Sequence, residues 1–236
     1  MVGIKSDKGK VRKLNEDYAG FLEEKDFKVY IVADGMGGHN AGEVASKLAV
    51  DSVIDYIKSK ESLDGALKDS VIYANKRIYE LSREEKTYGG MGTTLTACLI
   101  RKNVIEIANV GDSCCFGIRD NEIVKLTKDH SLVQELIDLG SITEEEGRNH
   151  PKKNIITRAL GTDKNVDVDI FTIEVNKYKN FLICSDGLTN EVSKEDALNI
   201  VTNSNDLNQA SENLISLANE RGGRDNITVL LFGGEV

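Results

Sequence analysis

Apolar positions fall in two rhythms along this chain. Residues 27–33 (FKVYIVA) form a continuous β-branched and aromatic run, which predicts a buried strand. Four more short β runs, at 94–100, 104–110, 114–118 and 122–126, are spaced as an antiparallel meander. Strand patterns return at 166–175, 181–184 and 226–232. Elsewhere the period lengthens to that of a helix. Val44, Leu48, Val53 and Ile57 mark one helix, and residues 63–81 a second. The stretch from 131 to about 151 is helical and polar, and two further helices fit 194–202 and 207–221.

Strands and helices therefore come in groups rather than in strict alternation. Such grouping predicts an α+β fold with antiparallel sheets. Two sheets packed face to face, with a helix pair on each outer side, would bury every apolar stripe: a four-layer α-β-β-α sandwich. Only one proline occurs, Pro151, and no repeat or low-complexity segment divides the chain. Residues 1–236 are expected to form a single domain.

Composition narrows the function classes. A formal net charge of −9 opposes broad binding to nucleic acid. No apolar run approaches the roughly 20 residues of a membrane helix. The opening MVGIKSDKGKVRKLNED has no hydrophobic signal core, so the expected location is the cytoplasm. Cys98, Cys114, Cys115 and Cys184 each lie in an apolar segment and form no C-x-x-C pair, which predicts buried free thiols. Adjacent Cys114 and Cys115 would point to opposite faces of a strand.

The informative pattern is the placing of aspartates. Asp34 closes a buried run, Asp112 follows IEIANVG, Asp186 comes just after FLIC, and Asp225 immediately precedes the last strand. Asp-Gly is also a common turn dipeptide. Yet Asp34-Gly35 and Asp186-Gly187 both lead into helices, not into partner strands. Converging carboxylates repel and take up protons unless cations join them. Hard divalent ions such as Mg²⁺ or Mn²⁺ prefer oxygen ligands, and a pair of them suits phosphate-ester hydrolysis. Arg12 could supply the planar fork that matches phosphate oxygens, or could be a surface charge in a basic stretch.

Eight segments then resemble, in order, the motifs of the type-2C metal-dependent protein phosphatases: GKVRKLNED, VADGMGGHNAGEVAS, GGMGTTLTA, ANVGDS, LTKDHS, ITRALG, CSDGLTNEV and GGRDNITV. The wording is nearest the compact bacterial members. The resemblance implies hydrolysis of phosphoserine and phosphothreonine on proteins by an activated water, with two Mn²⁺ or Mg²⁺ ions and a third, weaker one. It implies that Asp34 bridges both metals, that the Gly35 carbonyl binds one, and that Asp186 and Asp225 hold the other. Asp17 would act in the metal shell through water, Arg12 would grip the phosphate, and Asp112 would serve the third ion. Residues 139–157 would form a flap beside the site.

Two departures stand out. Where the family usually has arginine after Gly-Asp-Ser, this chain has Cys114. The nearest histidine to Asp34-Gly35 is His39, for which a helix-capping or structural role competes with proton donation. His130 is expected to support the fold and His150 to be a solvated flap residue.

Rival enzyme classes lack their residues. A cysteine phosphatase needs arginine six positions after its cysteine, where Val104, Asp120, Asn121 and Asn190 stand here. DGMGGHNAGE carries no P-loop lysine. Asp34-Gly35-Met36 lacks the second aspartate of an aspartyl-phosphate enzyme. A catalytically inactive relative that binds phosphoproteins is the alternative from another class. The expected partners are phosphorylated proteins, among them a Ser/Thr kinase and its substrates, and the expected state is a monomer.

Overall fold

The structure is a computed structural model that describes residues 1–38 and 41–234. In chain order its strands and helices are Val2–Asp7 (β1), Asp17–Glu23 (β2), Phe27–Met36 (β3), Ala41–Lys58 (α1), Ala66–Glu84 (α2), Gly92–Thr93 (β4), Leu95–Arg101 (β5), Val104–Val110 (β6), Cys114–Arg119 (β7) and Glu122–Lys125 (β8). There follow Leu132–Asp138 (α3), Glu144–Arg148 (α4), Asp169–Glu174 (β9), Asn180–Cys184 (β10), Asp186–Thr189 (α5), Lys194–Asn203 (α6), Leu207–Glu220 (α7) and Ile227–Gly233 (β11).

Two antiparallel sheets result. One runs β1-β11-β10-β7-β8, the other β2-β3-β5-β6-β9 with β4 paired to the end of β3. Strand alternation explains the unbroken apolar runs, because both faces of each sheet are covered. On β3, Val29, Ile31 and Ala33 pack towards α1 and α2, while Tyr30 and Val32 fill the space between the sheets. On β11, Leu230 and Phe232 face inward, and Val229 and Leu231 face α6 and α7. Three apolar layers therefore separate four layers of secondary structure, as the grouping of elements predicts. Cys114 lies in the outer cluster and Cys115 in the inner one, on opposite faces, and all four cysteines are free and buried.

The meander expected over 94–126 is a correction. β5 pairs with β6 and β7 with β8, but β6 and β7 belong to different sheets. The chain crosses between them at Gly111-Asp112-Ser113. Gly111 has φ +106°, and a side chain there would collide with Thr94, so the crossover turn requires glycine. The strand expected over 166–175 is shorter, at Asp169–Glu174. Three strands had no reading from the sequence: β1, which pairs with β11, β2, which pairs with β3, and the two-residue β4, which pairs with the end of β3. Helices α6 and α7 are capped by Ser193 and Asp206, whose side chains accept from the backbone N–H groups of Asp196 and Gln209.

Candidate metal centre

The functional end of the sandwich is where β2 begins and where β3 and β10 end. Asp17 and Asp34 are direct partners across β2 and β3. By strand alternation Asp34 continues the Tyr30, Val32 series and points between the sheets. Its backbone is pinned on the β4 side. Asp34 N donates to Thr94 Oγ1 (3.0 Å), Thr94 N donates to Asp34 O (2.9 Å), and Thr93 Oγ1 donates to the same carbonyl (2.9 Å). Thr94 Oγ1 also meets Ser113 Oγ at 2.8 Å, joining Asp34 to the turn that carries Asp112. Gly35 packs so closely that a side chain would strike the carbonyls of Gly42 and Glu16.

From the opposite sheet come Asp186, which opens α5 directly after β10, and Asp225, which precedes β11. Ser185 links the two sheets. Its Oγ donates to Asp17 Oδ2 (2.7 Å) and accepts from Thr228 N (3.0 Å). Asn190 Nδ2 donates to Asp186 Oδ2 (3.0 Å), and Lys153 Nζ donates to Asn190 Oδ1 (2.8 Å). The segment 139–157 thus reaches the site through Lys153. Arg12 is 52% exposed, and its Nη2 lies 2.8 Å from Asp225 Oδ2.

Electrostatics show that these carboxylates converge. Burial holds the Asp34 carboxyl well above the usual range, and the charges of Asp17, Asp186, Asp112 and Asp225 add to it in that order. Burial likewise raises Asp17 to about 7, against hydrogen bonds from Ser185 and Thr228. Asp112 rises to about 8 through burial, then Asp186 and Asp129. Asp186 rises to about 6 through burial and then Asp225, while Asn190, Lys153 and Arg12 pull it back. Carboxylates raised together are a site short of positive charge.

The residues fit divalent cations. Asp17 Oδ1 is buried and has no hydrogen-bond partner, an acceptor with nothing to accept from. The donor set is oxygen throughout, which suits Mg²⁺ and Mn²⁺. Among the described residues no three carboxylate, histidine or cysteine side chains close into a ready-made cage for one ion. Mg²⁺ keeps several waters and takes only one or two carboxylates, so an open arrangement is the appropriate one. A groove of about 660 Å³ lies at the other end of the sandwich, between Glu23, Tyr30, Asn180 and Gly233, and none of the five aspartates lines it.

All the site residues named from the sequence lie at this one end. His39 lies outside the described residues. His130 is buried, as expected of a structural residue. Sequence reasoning missed Ser185, Asn190, Asn226 and Glu16. Asn226 Nδ2 donates to the carbonyls of Lys8 (3.0 Å) and Leu14 (2.8 Å), and its Oδ1 accepts from Glu16 N (2.9 Å). It holds the loop that carries Arg12. The half-buried Glu16 carboxyl is raised by burial, against a hydrogen bond from the Gly42 backbone and the charge of Arg12. Its only signal was adjacency to Asp17.

The family model described as Protein phosphatase 2C matches residues 9–228. The chain belongs to this family. Among protein phosphatase 2C relatives, the serine/threonine phosphatase stp of Listeria welshimeri is 42% identical over 235 residues, covering 97% of this chain and 93% of that protein. The crystal structure of serine/threonine phosphatase Stp1 from Staphylococcus aureus superposes with a TM-score of 0.94 at 34% identity, covering 100% of this chain and 95% of that one. The catalytic domain of the phosphatase PstP in complex with two manganese ions gives 0.85 at 35% identity, covering 98% and 96%. These solved protein phosphatase 2C structures share the two-sheet sandwich flanked by helices.

Proposed function

We propose that this chain hydrolyses phosphoserine and phosphothreonine on proteins, with two divalent cations held by Asp34, the Gly35 carbonyl, Asp186 and Asp225. The observation that carries the reading is the convergence at one end of the sandwich of Asp17 and Asp34, paired across β2 and β3, with Asp186, Asp225 and Asp112, and of Arg12 bonded to Asp225 at the rim. Serine/threonine phosphatases as similar as those of Listeria welshimeri and Staphylococcus aureus support it. When bound, the cations supply an acidified water as nucleophile and offset charge on the transferring phosphoryl group. Asp34 and Asp17 orient the ligand oxygens from one sheet, and Asp186 and Asp225 from the other. Ser185 fixes the rotamer of Asp17, and Asn190 that of Asp186. Arg12 presents its fork to the phosphate and stabilises the equatorial oxygens as charge spreads over them. Asp112 serves a third, weaker cation.

The manganese in the PstP structure favours Mn²⁺ or Mg²⁺ as the pair. No helix among the described residues is long and apolar enough to cross a membrane. We place the protein in the cytoplasm as a single-domain monomer acting on phosphoproteins, including a Ser/Thr kinase and its substrates. Release of phosphate from p-nitrophenyl phosphate and from a phosphothreonine peptide, with Mn²⁺ and with chelator, tests the reading. Manganese-dependent release that disappears in Asp34→Asn is expected. Protein that binds Mn²⁺ and the phosphopeptide but releases no phosphate would instead be an inactive binding module.

A further inference from the structure

The turn Gly111-Asp112 is bonded on both its amide and its carbonyl by His130, and Asn109 Nδ2 also donates to the Gly111 carbonyl (3.2 Å). His130 N donates to Gly111 O (2.9 Å), and Gly111 N donates to His130 Nδ1 (3.0 Å). A backbone N–H can only donate, so Nδ1 is the unprotonated nitrogen and the ring proton sits on Nε2. Nε2 lies 3.2 Å from Asp169 Oδ2, at the start of β9. Arg158 Nη1 also lies 3.1 Å from Nε2, but a protonated Nε2 has no lone pair to offer it. The guanidinium donates instead to Asp169 Oδ1 (2.8 Å) and to Asp167 O (3.1 Å), which fixes that carboxylate in turn. The His130 side chain is 8% exposed. Burial, the largest influence, lowers its pKa and keeps the ring neutral.

We propose that His130 is a positioning residue for Asp112: held by Asp169 through Nε2, it fixes the Gly111 amide through Nδ1 and so aims the Asp112 carboxylate at its cation. The inference rests on the reading of Asp112 as ligand of the third cation. The geometry favours it because Asp112 directly follows a left-handed glycine, and His130 bonds both the N–H and the C=O of that glycine. The arrangement parallels the carboxylate–histidine pairs that orient metal ligands, with a peptide N–H in place of the metal. The same residue joins the flap, since Thr157 N donates to His130 O (2.8 Å).

Two variants separate the nitrogens. In His130→Asn the amide oxygen stands where Nδ1 was, whereas in His130→Gln the amide reaches only the Nε2 position. The Gly111 amide proton resonance of metal-free, isotope-labelled protein reports the hydrogen bond directly. It is expected to hold in His130→Asn and to move upfield in His130→Gln. Calorimetric Mg²⁺ titration should then show the weak phase weakened on the order of tenfold in His130→Gln and clearly less in His130→Asn, which keeps the acceptor but loses the hold of Asp169, with the tight phase unchanged in both. Equal behaviour of the two variants overturns the proposal. An Asp112→Ala protein that keeps the weak phase overturns the third-cation reading itself. Loss in Asp112→Ala with retention in His130→Gln overturns the positioning role alone. Should His130→Gln fail to fold, Asp169→Ala leaves the histidine in place, and an unchanged weak phase there counts against the proposal.

Discussion

Asp17 and Asp34 face each other as a directly paired cross-strand couple on β2 and β3. Like charges opposite one another weaken a sheet, and Asp17 is only 6% exposed. Ser185 and Thr228 offset Asp17, and Arg12 bears on Asp34 from the rim. On the proposed reading, cations at this end of the sandwich would offset the couple.

Metal-free protein should therefore lose stability as pH rises. Asp17, Asp34, Asp112 and Asp186 all have folded-state pKa values above the ordinary 3.8. The folded state then binds more protons than the unfolded one, and stability falls with pH. The contribution is complete near pH 4 and is lost as pH passes about 6 for Asp186, 7 for Asp17 and 8 for Asp112. His130 acts in the opposite sense, while Glu16, also raised, acts with the four aspartates. Thermal melts of chelator-treated protein from pH 5 to 8 should show a falling Tm. Added Mg²⁺ should reverse the trend, because its ligands bind it deprotonated. A flat or rising Tm without metal would refute the account.

Asp186→Asn should stabilise the metal-free protein at pH 8 and leave it unchanged near pH 4. At the higher pH the substitution removes a charge that Asp225 opposes, and at the lower one Asp186 is already protonated. Activity should fall by orders of magnitude while the fold persists. Calorimetry should find fewer than two tight cation sites. Unchanged two-site binding would show that Asp186 is not a ligand.

Arg12→Ala should raise KM for small phosphate esters, with a loss in kcat/KM of roughly 10–100-fold for one charge-assisted contact. Arg12 donates to Asp225 in the structure, so on the proposed reading the substrate phosphate and this carboxylate would share one guanidinium. Arg12→Lys should restore only part of the loss, since the ammonium lacks the planar fork. Steady-state kinetics of the three proteins settle it, and equal kcat/KM in all would assign Arg12 to the surface.

The layers were legible because both faces of each sheet are covered, which turns strands such as VYIVA and FLIC into unbroken apolar runs. β1 and β2 were not, since they lie at the edges and alternate weakly: Lys5, Ser6 and Asp7 end one, and Gly20 interrupts the other. The break of the meander at Gly111-Asp112-Ser113 was hidden for a different reason. A crossover between sheets and a hairpin turn draw on the same residues. Aspartates at strand ends were readable because metal chemistry restricts residue type. Ser185, Asn190 and Asn226 were not, because an amide or hydroxyl that orients a neighbour looks in sequence like any polar loop residue.

Asn226 offers the sharpest test of that hidden layer. Its side chain makes three hydrogen bonds to the backbone of Lys8, Leu14 and Glu16, bracketing Arg12, and it is nearly buried. Asn226→Ala would leave two carbonyls and one N–H without partners, at a cost of about 1–3 kcal/mol for a buried group. The loop would re-solvate by moving outward, taking Arg12 with it. KM for p-nitrophenyl phosphate should rise much as in Arg12→Ala, while kcat and tight cation binding change little. A double-mutant cycle separates this from general destabilisation. If Asn226 acts on substrate through Arg12, adding Asn226→Ala to Arg12→Ala should raise KM no further. Full additivity of the two effects would mean that Asn226 supports the fold without placing the guanidinium.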